Sequence, residues 1–357
     1  MQNSKTLLQD GLIEFNTKKT IWFDFENAPH VWVLKPLYEY FKAKGFECIC
    51  SARNFSYTLD LLKKAGIKAD SQNVLISKNK LIKIFATIIR AFRLAMLYKK
   101  RKIDLALSHG SRSQILASKI LRVPAISLDD YEKSDQLFVR FTYKLLVPSV
   151  INKSCWGRYQ DKIEHYPGFK EQIYIFDYNQ DEIICEKLQL DKNKIIILLR
   201  PEMPTSHYYN RKSTILLWNI LEYLIYYRDI SVILIPRNKR QAYEISNFFN
   251  IHKIHCIIPD PQYFGFEIVT TADLVIGGGG TMLRESACLG IPAYSYFSGL
   301  WGDVDNHLLS IKRLIRIESE EDIKKIQITK RTKNLKPIYS ENKEYIIKYL
   351  EDYLYDN

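Results

Sequence analysis

With 357 residues, 46% of them hydrophobic and 13% aromatic, the chain is long enough for two domains and too apolar to be disordered. Its six cysteines (48, 50, 155, 185, 256 and 288) form no C-x-x-C pair and lack metal-type histidine spacing, which excludes a disulfide framework and a zinc site and suits buried thiols in a reducing compartment. The formal charge of +12 points to anionic partners: nucleic acid, a membrane surface or small anionic substrates.

No apolar run reaches transmembrane length and the polar stretch 1–19 resembles no signal peptide, so a cytoplasmic protein with a loosely attached N-terminal extension is expected. Thr20–Phe25 reads as the first strand, ending in the polar cluster Asp24, Asn27 and His30. A helical pattern follows to Lys44, stopped by Gly45; Pro36 inside it implies a kink or a fresh helix start. Residues 46–51 form the second strand and 55–65 a helix closed by Gly66.

Residues 78–102 carry nine lysines and arginines, no acid, and apolar positions at helical spacing. This basic amphipathic helix fits an anionic membrane interface, and equally a crossover helix with a solvated basic face; the two readings are compatible. Strands at 104–108, 125–128, 145–147 and 163–166 complete the first half, with His109 and Ser111 after the first of them and Asp130 and Glu132 after the second. Pro167-Gly168 marks the boundary, placing one domain at 20–168 and the other, beyond a linker to about Lys194, at 169–339.

The second half repeats the alternation: strands at 195–199, 232–235 and 254–258, with helices at 214–226 and 241–249. The most informative stretch then runs from Ala272 to Pro292. A buried strand at 274–276 leads into four glycines, Gly277, Gly278, Gly279 and Gly280, with Thr281 as N-cap of a helix that ends at Gly290. Such a turn offers backbone N–H groups and a helix dipole to an anion, though two glycines would already serve a plain tight turn. A last helix at 341–353 closes the chain. Strands alternating with helices imply parallel sheets covered on both faces, and ligands of such sheets bind beyond the carboxyl ends of the strands. Six of those ends carry polar clusters, including Arg200 and Arg237, each suited to an anion in a cleft or to an interdomain salt bridge. Tyr208 and Tyr209 are weaker candidates for the same cleft.

The glycine run resembles the nucleotide-sugar loop of the GT-B superfamily, in particular the S-G-G-x-x-E-E-x-x-x-L-G-x-P segment of the non-hydrolysing UDP-N-acetylglucosamine 2-epimerases. The resemblance implies a GT-B-like α/β fold: two Rossmann-like, doubly wound parallel-sheet domains facing a cleft, with helix 340–357 packing back on the first. It also implies that Gly278, Gly279, Gly280 and Thr281 meet a diphosphate and Glu285, at the family's second glutamate, the ribose, with Arg284 standing where the family has its first glutamate. Asp24-x-x-Asn27-x-Pro29-His30 is similar to the opening of a further archaeal and bacterial family in that superfamily. His30 there is placed as the base that deprotonates an acceptor, or as a histidine capping its own helix turn. His109-Gly110-Ser111-Arg112 resembles the epimerase H-G-D-T, with Ser111 in place of the acid, while Asp130 and Glu132 fall near a second acidic position. They read as bases, hydroxyl anchors or a solvated acidic loop; Asp24, Asn27, His109 and Ser111 read as acceptor or sugar contacts.

Three functions compete. The first is an inverting glycosyltransferase with a nucleoside diphosphate-sugar donor, UDP-linked by resemblance, needing neither metal nor cofactor. Its acceptor would be a glycan or lipid-linked glycan of surface polysaccharide synthesis, met on the inner face of the membrane. The second is a nucleotide-sugar 2-epimerase. The third, a nucleic-acid binder, rests on net charge alone; no binding motif supports it and no nucleic-acid partner is expected.

Overall fold

A computed structural model describes residues 19–74, 79–132, 136–177, 182–202, 211–263, 265–331 and 335–356. The extension 1–18, Lys78, Tyr208 and Tyr209 lie outside them. The first half contains β1 (Thr20–Phe25), β2 (Glu47–Asn54), β3 (Asp70–Asn73), β4 (Leu105–His109), β5 (Ala125–Leu128), β6 (Lys144–Pro148) and β7 (Ile163–Tyr166). All pair in parallel, in the order β3-β2-β1-β4-β5-β6-β7. The second half contains β8 (Ile195–Arg200), β9 (Ile230–Leu234), β10 (His255–Ile257), β11 (Leu274–Gly277), β12 (Ala293–Ser295) and β13 (Ile315–Arg316). These are also parallel, in the order β10-β9-β8-β11-β12-β13. Each sheet therefore reverses its strand order once, between β1 and β4 and between β8 and β11. Those are the switch points at which adjacent loops part and leave a crevice.

The central strands are apolar runs because helices cover both faces; β1 and β11 are buried throughout. Helix Ala28–Ala43 packs on one face of the first sheet and continues through Pro36 as a single element. Helix Lys80–Tyr98 packs beside helix Arg112–Leu121, its Ala91, Leu94, Ala95 and Tyr98 forming an apolar cluster with Trp22. A larger cluster contains residues of both sheets, among them Phe25 and Val147 from the first and Leu198 and Val275 from the second. Helix Asn342–Asp356 returns to the first half: Tyr40 Oη donates to Glu351 at 2.9 Å, and the Tyr143 and Tyr353 rings lie 4.9 Å apart.

Several short elements escape a periodicity reading. β3 is polar and mostly exposed, β13 is two residues long, and helix Asp303–Ser310 is a short element of eight residues. At the glycine run, Gly280 and not Thr281 occupies the N-cap position, because its φ of 102° is open to glycine and disfavoured for threonine. Among the described residues no helix is long and apolar enough to cross a membrane.

Candidate active site

A cleft of about 580 Å³ opens between the two sheets at their switch points. Its floor on the second half is the loop after β11. Gly278 turns its α-carbon onto Glu202, where an added Cβ would stand 2.6 Å from the Glu202 Cβ and 2.9 Å from its backbone nitrogen; its own N–H donates to the Arg200 carbonyl at 3.1 Å. Gly278 is thus a packing residue, and the cleft is lined by Gly279, Gly280 and Thr281. The last two open helix Thr281–Leu289, whose first N–H groups have no intrahelical acceptor.

Two guanidiniums face that turn. Arg200, at the end of β8, donates through Nη1 to the Ile235 carbonyl at 3.0 Å and through Nη2 to Tyr57 Oη at 3.0 Å, which ties the second half to the first. Arg237, after β9, donates through Nε to the Pro201 carbonyl at 3.1 Å, and its Nη2 lies 4.0 Å from where a Cβ on Gly280 would sit. Burial lowers the pKa of Arg200, while burial and the neighbouring Arg200 push Arg237 down to about 10. Both remain charged near neutrality. No carboxylate of the described residues forms an ion pair with either. Glu202 is near enough to Arg237 to favour its charge without pairing with it, and two close, partly dehydrated cations without an ion-pair partner among the described residues are held at a cost that an anionic ligand would relieve.

Farther along the same helix, Glu285 accepts a hydrogen bond from Tyr174 at 2.5 Å. Burial, joined by nearby Glu171 and Glu267, raises its carboxyl to about 8 against the effect of that hydrogen bond. The group is largely protonated at pH 7, able both to donate and to accept toward a hydroxyl. Arg284 behaves differently from a phosphate ligand. Its Nε and Nη2 grip Asp305 at 2.7 and 2.8 Å, and its Nη1 donates to Asp130 Oδ2 at 2.5 Å. Lys170 also pairs with Asp130 and, at 2.7 Å, with Glu171. Burial alone would raise the Asp130 carboxyl, but Lys170 and Arg284 outweigh it and hold it well below the usual carboxylate range. Asp130 is consequently an ionised anchor of a buried ion cluster and a poor proton acceptor.

Across the cleft stand His30, at the start of helix Ala28–Ala43, and His109, the last residue of β4. Their rings lie 4.8 Å apart, and His109 Nε2 is 3.5 Å from Asp130 Oδ1. Burial, with His109 beside it, depresses the His30 imidazole well below its ordinary value; burial takes His109 to about 4, the Asp130 charge opposing. Both rings are neutral at pH 7, and buried His30 Nδ1 has no hydrogen-bond partner among the described residues. Asn27, one turn before His30, also lines the cleft.

Besides Gly278, three of the expected site residues do not reach it. Asp24 is fully buried in a bidentate pair with Arg90, at 2.6 and 2.9 Å, and accepts at 2.5 Å from the hydroxyls of both Ser51 and Ser111. Ser111 is in addition the N-cap of helix Arg112–Leu121, accepting from Gln114 N at 3.2 Å. Glu132 accepts instead from the Asp303 N–H at 3.3 Å, at the start of helix Asp303–Ser310. Conversely, Tyr57, Lys170, Trp32 and Phe266 line the cleft without having been singled out. Lys170 follows the Pro167-Gly168 boundary and Tyr57 precedes a short helix; neither carries a local signal.

A family model described as a protein of unknown function, DUF354, matches residues 19–354. The chain belongs to DUF354. Another protein similar to this DUF354 chain is the uncharacterized protein MJ0665 of Methanocaldococcus jannaschii, 26% identical over 320 residues that span 86% of this chain and 89% of that one. Among solved structures, UDP-GlcNAc 2-epimerase from the same organism, in complex with UDP-GlcNAc and UDP, superposes with a TM-score of 0.70 at 15% identity, covering 93% of this chain and 99% of the other. The Neisseria meningitidis enzyme bound to UDP-GlcNAc gives 0.69 at 14% identity, covering 94% and 93%. At such identities the likeness establishes the fold: DUF354 here is GT-B-like, two parallel-sheet α/β domains, as the glycine run implied.

Proposed function

We propose that this chain is an inverting glycosyltransferase that moves a sugar from a nucleoside diphosphate donor, UDP-linked, to the hydroxyl of a glycan or lipid-linked glycan. The observation that carries this reading is the opposition, across one cleft, of an uncharged His30 and the pair Arg200 and Arg237, which form no ion pair with a carboxylate of the described residues, beside Gly279 and Gly280. His30 takes the acceptor proton as the oxygen attacks the anomeric carbon. The bond from that carbon to the diphosphate oxygen breaks, and the departing charge falls to the two guanidiniums and the N-terminus of helix Thr281–Leu289, without need of a metal. Glu285 suits a ribose hydroxyl because its protonated carboxyl both donates and accepts. The fold shared with proteins solved with UDP and UDP-GlcNAc supports a uridine nucleotide.

The second reading, a 2-epimerase, requires two proton carriers flanking the sugar. Asp130 is spent on Lys170 and Arg284, the Ser111 hydroxyl on Asp24, and Glu132 on the Asp303 N–H. That disposition favours transfer. Incubation with a panel of UDP-sugars and glycan or lipid acceptors in deuterated water distinguishes the two. Transfer releases UDP only with acceptor and leaves C2 of the recovered donor free of deuterium. Deuterium at an inverted C2 without acceptor would establish epimerisation and end the transferase reading.

A further inference from the structure

Helix Lys80–Tyr98 is half-used by the fold. Its inner side, Arg90, Ala91, Leu94, Ala95 and Tyr98, is buried against the first sheet. Its outer side carries Leu81, Phe85, Ile88, Phe92 and Met96 at steps of three and four residues, one continuous stripe with exposures from 39 to 75%. Apolar area gathered in this way on one helix face is not the scattered exposure of an ordinary surface. Beside the stripe stands the exposed Arg93, with exposed Lys99 and Lys100 just past the helix, while exposed Lys83 lies round the helix in line with Arg90; no acid occurs between residues 79 and 102.

The orientation of the helix adds a second observation. The Tyr98 ring packs on Trp22 at 5.0 Å, whereas Arg90 reaches Asp24 near the carboxyl end of β1, so the helix runs antiparallel to the strands. Its ten residues before Arg90 therefore continue roughly 15 Å toward and past the strand ends, the edge at which the cleft opens. Leu81, the most exposed apolar residue of the stripe, and Phe85 lie on that overhang.

We propose that this face docks the protein on an anionic lipid surface, the stripe entering the interface and the flanking cations meeting the headgroups. Charge decides the occupant: a second copy of the same helix would bring the same cations together with no acid to meet them, while an anionic membrane complements them. Docking by this edge holds the cleft mouth at the lipid surface. That the surface delivers a lipid-linked acceptor rests on the transferase reading; docking itself does not.

The test is co-sedimentation of the full chain with vesicles of phosphatidylcholine alone or mixed with phosphatidylglycerol, at low and high salt. Binding is expected to the mixed vesicles, to weaken with salt, and to fall at least tenfold both in a Phe85→Ser, Phe92→Ser variant and in an Arg93→Glu, Lys99→Glu variant. Unchanged urea midpoints and UDP affinities would confirm that these variants fold, and UDP calorimetry on the unaltered chain tests the donor site independently. No sedimentation of the unaltered chain, or equal sedimentation of the variants, overturns docking. So does a dimer in ultracentrifugation that Phe85→Ser, Phe92→Ser dissociates while vesicles bind neither form.

Discussion

Asp130 Oδ2 and Arg284 Nη1 meet at 2.5 Å, joining the loop after β5 in the first half to the helix that follows the glycine run in the second. The contact links residues 154 positions apart and ties two cleft-lining candidates to each other. The arginine is committed to Asp130 and Asp305, and the carboxylate is committed to Arg284 and Lys170.

Asp130→Asn should therefore act on stability. Removing one partner of a buried ion cluster leaves Lys170 and Arg284 facing each other, at a cost of about 3–5 kcal/mol. Urea denaturation measures it; an unchanged midpoint would mean the cluster contributes nothing to holding the two halves together.

Arg200→Ala and Arg237→Ala should each weaken UDP binding by about tenfold or more, the worth of a charge-assisted hydrogen bond of about 1.5–3 kcal/mol. Each variant is expected to keep its fold, since neither arginine forms an ion pair with a carboxylate of the described residues. Calorimetry with UDP decides, and equal affinity in both variants would remove the diphosphate from this part of the cleft.

His30→Ala should lower turnover by about two to four orders of magnitude while UDP affinity stays near its original value. Because burial and His109 depress the His30 pKa, the unprotonated base persists below the ordinary histidine value of about 6.5. The acidic limb of kcat/KM should accordingly lie below about pH 6.5. A limb at or above that value would place the essential base elsewhere.

Glu285 gives the protein a pH-dependent stability. Its folded pKa of about 8 stands above the ordinary value of 4.5, so its contribution is fully present below 4.5 and is lost as pH rises toward 8. Across that window the folded state holds one more proton than the unfolded, which costs about 1.4 kcal/mol of stability per pH unit. Urea titrations at several pH values should show this slope in the unaltered chain and its disappearance in Glu285→Gln. Parallel curves for the two proteins would contradict it.

The alternation of strands and helices was written in local pattern, since burial on both faces demands apolar runs that any reading of periodicity detects. Thr20–Phe25, Ala125–Leu128 and Ile163–Tyr166 stand where the sequence places them, and the glycine run already implied the GT-B-like fold. The strand ends likewise named part of the cleft: Asn27, His30, His109, Arg200, Arg237 and Glu285 all line it. Tertiary structure alone decided which polar side chains face the cleft and which face one another. Asp24 looks like a site residue until Arg90, 66 positions away, closes on it; Lys170 is silent until the chain brings it across 40 positions to Asp130, and Tyr57 until it crosses 143 to Arg200. A charged side chain has the same local signature whether it binds a ligand or neutralises a distant partner. Only the partner's position, fixed by packing of the two sheets, separates the two.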